Sequence, residues 1–374
     1  MSLMALGETA QFINGAAFKP TDWENDGLPI IRIQNLTGSG EKFNYTARQV
    51  KSELIVEPGD LLVSWSATLD VYRWAGPRGV LNQHIFKVLP KQGIDPDYLF
   101  FALKTALSEL TAKTHGSTMK HVVRSDFEST HVAVPPLDEQ RRIVDLLSRA
   151  EGIVKLRRDA EKKAAELIPA LFLDLFGDPA TNPKGWPTSL FGAVGVLDRG
   201  RSRNRPRDAK ELYDGPYPFI QTGDVSNSGG RITGYTATYS EAGLAQSRLW
   251  KRGTLCITIA ANIAKTGVLE FDACFPDSVV GFLPGEQVRT AYVQAWLGFL
   301  QPTLEANAPQ AAQKNINLEI LRNLPIPLPP LALQELFEQR CSDVISIQSQ
   351  QSAAKAKAQA TFNALLAQVF AATA

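Results

Sequence analysis

Two kinds of hydrophobic pattern alternate along the chain. In residues 1–134, the short β-branched and aromatic runs LPIIRI, DLLVSWS and HIFKVL are separated by Gly, Pro and Asn turns. Such runs predict short strands, with a helix over Pro96–Lys113. From Asp138 to Phe176 Gly and Pro nearly vanish, and the good helix formers Ala, Leu, Gln, Lys and Glu take over. The alternation then repeats. YPFIQT, TLCITIA and VVGFL predict strands, Thr290–Glu305 a helix, and Ala332 to Phe370 a second long helical run.

The repetition extends to individual residues. PPLDEQ (135–140) falls on PPLALQ (329–334) at an offset of 194, and the same offset places Gly59-Asp60-Leu61 on Gly253-Thr254-Leu255. It also places Tyr98 on Tyr292 and Lys120 on Lys314, while PIIRIQNL (29–36) matches PFIQTGDV (218–225) at 189. Shared order with a nearly constant offset marks a tandem duplication. The fold class expected is α/β in the α+β sense: a β-rich domain followed by a long helix, twice. The parts are 1–134, 135–180, 181–328 and 329–374.

Both helical runs carry a thin apolar seam. In the first it comprises Ile143, Leu147, Ala150, Ile153, Ala160, Ala164, Leu171 and Leu175; in the second, Phe337, Val344, Ile347, Ala354, Ala358, Leu365 and Val369. Spacings of three and four predict a coiled-coil-like face. At ~1.5 Å per residue each helix is about 55–60 Å long, and a stripe so narrow needs a partner helix to be buried. Gly152 and Pro169 are the expected weak points, with Pro169 kinking or breaking its helix.

Composition narrows the function classes. The chain has 374 residues, with 39 Lys+Arg against 38 Asp+Glu. That balance excludes a uniformly basic coat protein and wholesale disorder, so any nucleic-acid face is local. Three scattered cysteines, Cys256, Cys274 and Cys341, suit neither a disulfide framework nor a zinc site. With no apolar run of membrane-spanning length and no secretory pattern, the expected compartment is the cytoplasm, with no membrane partner.

The clearest charged feature is RGRSRNRPR, holding Arg199, Arg201, Arg203, Arg205 and Arg207. Its alternation suits an extended arm along phosphates, although a solvated turn has the same spelling. Further polar candidates occupy corresponding loops of the two copies. Arg32, Gln34 and Asn35 end one strand, as Gln221, Thr222 and Asp224 end its counterpart. Ser64, Trp65 and Thr68 follow DLLV, as Thr258, Asn262 and Lys265 follow TLCI. Asn82, Gln83, His84, Ser117, Thr118, Lys120 and Arg124 complete the first copy, and Gln313 and Lys314 the second. Side chains of these types read base edges or hold phosphates.

Catalytic signatures are missing from the sequence. There is no GxxxxGK[ST] loop, no GxSxG elbow and no NPPY-type tetrad, and the four histidines share no metal-ligand spacing. Glu161-Lys162-Lys163 has the ExK spelling of a nuclease but falls on the helical run, where a solvated face explains it. No catalytic residue and no metal ligand is assigned.

PPLDEQRRIVDLL with its looser echo PPLALQELF, PGDLLVSWSATL with RGTLCITIA, and HGSTMKHV before the Pro-Pro helix resemble the specificity subunits of Type I restriction–modification systems. The likeness spans essentially the whole chain. It implies two target-recognition domains, each reading half of a split double-stranded DNA target, joined by two long helices that pair antiparallel. The helices would set the gap between half-sites and be gripped by two methyltransferase subunits. Restriction subunits would join the full complex, and S-adenosylmethionine, ATP and Mg would be needed only by those partners. The second helix departs in reading ALQ where the first reads DEQ. Set beside this is a reading without DNA, a two-module adaptor on a coiled-coil stalk.

Overall fold

The computed structural model describes residues 2–40, 42–66, 68–113, 124–203, 206, 208–260, 262–307 and 316–370. The chain divides into two compact units, one of Met1–Asp159 with Ser352–Ala374 and one of Ala160–Gln351.

In the first unit the run LLVSWS becomes the strand Leu61–Ser66, paired antiparallel on one side with Ile85–Pro90 and on the other with Thr68–Arg73; Ala10–Asn14 adds beyond Ile85–Pro90. Successive side chains point to opposite faces. Val63, Phe86 and Val88 therefore enter a core with the helix Pro96–Lys113, while Leu62 and Ile85 enter another with Ile31 and Leu81. Burial on both faces explains why this strand reads as an unbroken apolar run. The second sheet runs Asn44–Thr46, Leu28–Ile31, Gly79–Leu81, Ile55–Val56. In the second unit a five-stranded sheet runs Gly195–Arg199, Val279–Pro284, Leu255–Thr258, Thr266–Leu269, Arg231–Ile232, against the helix Thr290–Ala306. We call these two β-rich bodies the readers, after the role that the sequence resemblance implies.

Each reader is joined to a long helix by the same bonds. Gln140, almost wholly buried in the first turn of the helix Leu137–Ala165, donates from Nε2 to the carbonyls of Gly93 (3.0 Å) and Pro135 (2.8 Å) and accepts from the Asp95 N–H (2.8 Å). Gln334, in the first turn of Leu331–Phe370, donates to Gln287 (3.0 Å) and Pro329 (2.9 Å) and accepts from Arg289 (2.9 Å). Tyr98 likewise donates to the Ala133 carbonyl at 2.7 Å, and Tyr292 to that of Pro327 at 2.8 Å. Burial pushes both phenols above the usual tyrosine range.

The long helices pair antiparallel. In the first unit Ile143, Leu147 and Val154 share a core with Phe362 and Phe370, with Ala150, Ala358, Leu365 and Val369 packed against it. In the second, Phe172 and Phe176 are buried with Phe337 and Cys341, flanked by Leu171 and Leu175. The start of each helix thus meets the end of the other. Gln348 also donates to the Ala164 carbonyl at 2.8 Å. Ala164 is buried, and Ala160, Val344 and Ala354 are half-buried.

Two seam positions are corrected, and they correspond. Ile153 is 52% exposed and Ile347 44%. Each lies six residues beyond a buried position, Leu147 or Cys341. At ~100° per residue this turns it well off the seam, whereas the seventh residue, Val154 in the first helix, returns to it. The first helix ends at Ala165 and resumes at Leu167, with Pro169 in the opening turn of the new helix, where a missing N–H breaks no bond. Gly152 causes no break, since the helix runs straight through it.

The glutamine joint gives a direct test. Gln140→Leu takes the partner from the buried Pro135 carbonyl and from the Gly93 carbonyl and Asp95 N–H in the half-buried loop beside it. It is expected to lower the unfolding free energy by about 2–4 kcal/mol in chemical denaturation, since each orphaned group costs about 1–3 kcal/mol.

Candidate nucleic-acid interface

The loops proposed for recognition are built on repeated local geometry, and part of what resembles a reading residue serves that geometry. After the strand Leu28–Ile31 comes the short helix Ile33–Thr37, whose Asn35 accepts the Arg32 N–H at 3.0 Å and donates to the Gly40 carbonyl at 3.0 Å. After Tyr213–Phe219 comes Thr222–Ser226, whose Asp224 accepts the Gln221 N–H at 2.8 Å and the Thr236 hydroxyl at 3.2 Å. Asn35 and Asp224 are thus reciprocal caps that close the turn, with Thr222 half-buried in it. Their shared place in the repeat reflects backbone chemistry.

The same correction applies to Ser64 and Thr258. Both are fully buried. Ser64 Oγ donates to the Thr68 carbonyl and Thr258 Oγ1 to that of Asn262, each bond closing the turn that follows its strand. Arg124 is engaged as well: its Nε donates to Glu128 at 2.8 Å, its Nη2 to the Phe12 carbonyl at 3.0 Å, and its guanidinium covers the Phe86 ring. Trp65 stacks on Phe86, meets His84 edge-on at 4.9 Å and donates to Asn14 at 3.3 Å. His84 holds a left-handed backbone, φ 74°, and its Nδ1 is buried without a hydrogen-bond partner. Asn82 is half-buried, its N–H bonded to the Ile31 carbonyl at 3.1 Å.

What remains on the surface is a smaller set. Gln34, Thr68 and Gln83 are exposed in the first reader; Arg201, Arg203, Gln221, Asn262 and Lys265 are exposed in the second. Asn262 also donates to Ser226 Oγ at 3.1 Å, tying its loop to the Thr222–Ser226 turn. Arg199 is half-buried at the end of its strand, and the arginine loop beyond is held by its backbone. The Arg201 N–H donates to Phe275 at 3.0 Å and the Arg203 N–H to Gln246 Oε1. Backbone bonds thus hold the loop while the Arg201 and Arg203 side chains stay exposed. Ser117, Thr118, Lys120, Arg205, Gln313 and Lys314 lie outside the described residues.

Other residues join these surfaces without any mark in the sequence pattern. Trp23, 43% exposed, lies under the Arg32 guanidinium at 5.6 Å, and Arg32 reaches Asn44 Oδ1 at 3.4 Å. Arg32 Nε and Asn44 Nδ2 are both buried with no hydrogen-bond partner. Asn44 and Trp23 stand too far from Arg32 in sequence to be linked to it by spacing. In the second reader a polar hollow of about 480 Å³ adjoins Gln221 and takes in Asn227, Arg231 and Thr233. Its rim chemistry is partly self-neutralised, since Arg231 pairs with Glu270. Nearby carboxylates are also engaged: Lys251 and the Arg252 N–H hold Asp272 below the usual carboxylate range.

Among the described residues no cluster of His, Cys, Asp or Glu is arranged to hold a metal ion, and no helix is long and apolar enough to cross a membrane. All three cysteines are free and buried, with the Cys341 thiol pushed up to about 11 by burial and by neighbouring Glu338.

A family model described as Type I restriction modification DNA specificity domain matches residues 1–166 and 183–356. The chain is 22% identical to the specificity subunit of the Type I restriction enzyme EcoBI from Escherichia coli, over 98% of this chain and 85% of that one. It is 30% identical to the MjaVIII specificity subunit from Methanocaldococcus jannaschii, over 41% of this chain and 36% of that one. A chain solved in work on complex assembly and conformational transition of the type I R-M system shares the fold, with a TM-score of 0.64, 19% identity, and coverage of 98% and 97%.

The division between inward and outward residues predicts opposite mutational behaviour. Ser64→Ala and Thr258→Val are expected to destabilise their readers by about 1–2 kcal/mol through a lost buried hydrogen bond. Arg201→Ala and Arg203→Ala are expected to stay within about 0.5 kcal/mol of the parent. Denaturant midpoints of the four variants check both expectations.

Proposed function

The chain belongs to the family of Type I restriction modification DNA specificity domains, and from that premise we propose that it is the non-catalytic, target-reading subunit of a restriction–modification complex. Each reader, within 1–134 and 181–328, recognises one half of a split duplex target, and the helical segments 135–180 and 329–374 set the gap. The observation that carries this reading is the duplication of the joint. Two readers of different surface chemistry are attached through the same glutamine bonds to the starts of two long helices, beside the same tyrosine bond to the strand that leads into each helix. Such a design keeps the mounting constant while the reading surfaces diverge.

The energetics suit the role. Recognition at ~1–3 kcal/mol per base pair over two short half-sites yields a high specificity ratio without catalysis. Half-sites read from one face of the duplex are about 34–36 Å apart, centre to centre. The exposed arginines Arg201 and Arg203 supply phosphate contacts to the second reader, and the near-neutral whole leaves much of the hold on DNA to partner subunits. Methyltransferase subunits dock on the long helices, where Leu146, Ile153 and Leu156 form an exposed apolar line at intervals of seven and three residues, Leu156 being 69% exposed. Restriction subunits complete the assembly in the cytoplasm. S-adenosylmethionine, ATP and Mg act in the partners and none is held by this chain.

Two experiments test the proposal. Adding a helical turn to both long helices is expected to lengthen the recognised gap and leave both half-sites unchanged, as read by methylome sequencing of a host expressing the complete methyltransferase. An unchanged gap in a stably assembled variant would refute the spacer role. Ile153→Ser with Leu156→Ser is expected to reduce methyltransferase co-purification at least tenfold while the melting temperature holds, since both side chains already face solvent.

A further inference from the structure

Bonds fix the correspondence between the two copies more firmly than alignment does. Tyr98 and Tyr292 bond equivalent carbonyls, as do Gln140 and Gln334. The strand registers set Arg73 opposite Leu61 as Val268 stands opposite Leu255. These anchors place Asp97, Phe100, Phe101 and Glu151 of the first copy against Ala291, Gln294, Ala295 and Ile345 of the second.

In the first copy this place is closed. The Arg73 guanidinium lies 3.8 Å over the Phe100 ring, donates to Asp97 at 2.9 Å and stands 3.7 Å from Glu151. Lys104 reaches the same Glu151 at 3.4 Å, and Phe101 and Leu147 fill the space beneath. An edge strand, the helix Pro96–Lys113 and the long helix Leu137–Ala165 are thereby locked together beyond the glutamine joint.

In the second copy the corresponding place is a cavity of about 560 Å³, whose lining includes Val268, Ala291, Ala295, Cys341 and Ile345. Val268, Gln294, Ala295, Ala291 and Ile345 stand where the first copy has Arg73, Phe100, Phe101, Asp97 and Glu151, while Arg231, Glu270 and Glu338 line the cavity from elsewhere. Gln294, in the place of Phe100, turns to the Gly230 carbonyl at 2.7 Å instead. The second reader is therefore held where the two long helices meet at its base, by Gln334 and Phe337 at the start of Leu331–Phe370 and by Phe172 and Phe176 stacked with Tyr292, and lacks the side-chain clamp further along Leu331–Phe370.

We propose that the second reader rocks on its long helix about the Gln334 joint, with the cavity as its clearance, while the first reader, whose own cavity of about 750 Å³ lies against Phe362 and Leu366, is clamped to Leu137–Ala165 by Arg73, Lys104 and Glu151. Attachment at one end leaves rotation about that end soft, because no packed atoms oppose a small displacement across a void. The asymmetry belongs to this chain's own residues and does not depend on DNA recognition.

The test is a pair of distance distributions in the full chain. Bio-orthogonal spin labels are placed at the exposed positions Thr303 and Asp343 of the second copy and, in a separate sample, at the corresponding exposed positions Glu109 and Arg149 of the first. Equivalent sites make label tethers a common background, so the second pair's distribution is expected to be at least about twofold broader. Ala295→Phe, which restores the first copy's residue, is expected to narrow it; Gln294→Phe serves if that variant misfolds. Arg73→Ala with Glu151→Ala is expected to broaden the first pair. Equal widths in the parent chain, or a second-copy width unmoved by a folded cavity-filling variant, would overturn the proposal.

Discussion

Everything in this molecule hangs on a buried amide. A glutamine side chain has two N–H donors and one carbonyl acceptor, and Gln140 and Gln334 use all three on backbone: a carbonyl and an N–H of the loop that feeds the reader's main helix, and the carbonyl of the first proline of the Pro-Pro pair. Neither the reader's loop nor the Pro-Pro segment has a ladder to pair with, so burying the two against each other would strand polar groups. The glutamine resolves that conflict at one point, and the Pro-Pro pair before it brings the chain in extended. This explains why PPLDEQ and PPLALQ share the glutamine although Asp-Glu is replaced by Ala-Leu. The acidic pair faces solvent, and the amide has no substitute of the same shape and valence.

Much of the architecture was legible because it rests on period and propensity. The duplication, the helix Pro96–Lys113, the helical runs and most of the seam follow from residues that recur every three or four positions. Ile153 and Ile347 escaped that reading because an isoleucine near a seam is scored as part of it, while a turn of ~100° per residue decides the matter. Phe172 and Phe176 are buried more deeply than the adjacent leucines, a choice made by the reader packed on them and not by the helix alone.

The candidate interface was less legible, for a physical reason. Asn, Asp, Ser and Thr are the residues that read bases and also the residues that cap turns. Paired occurrence in both copies raises the second probability, because a repeated fold needs repeated turns. Asn35, Asp224, Ser64 and Thr258 are of that kind. Side chains that stay exposed, such as Gln221 and Lys265 of the second reader, with Arg201 and Arg203 suited to phosphates, are the candidates that no turn accounts for. Trp23 and Asn44 were invisible because the contact that unites them with Arg32 forms only when two strands pair.

The crossing of the long helices also bears on how the chain is made. The second unit is one continuous stretch, Ala160–Gln351, whereas the first needs Ser352–Ala374 to cover the core that holds Phe101, Leu147 and Val154. During synthesis, which usually favours the N-terminal domain, the first unit is therefore the later of the two to have all its residues. The reader translated first lacks part of its apolar cover until Phe362 and Phe370 are made, by which point every residue of the second unit is present.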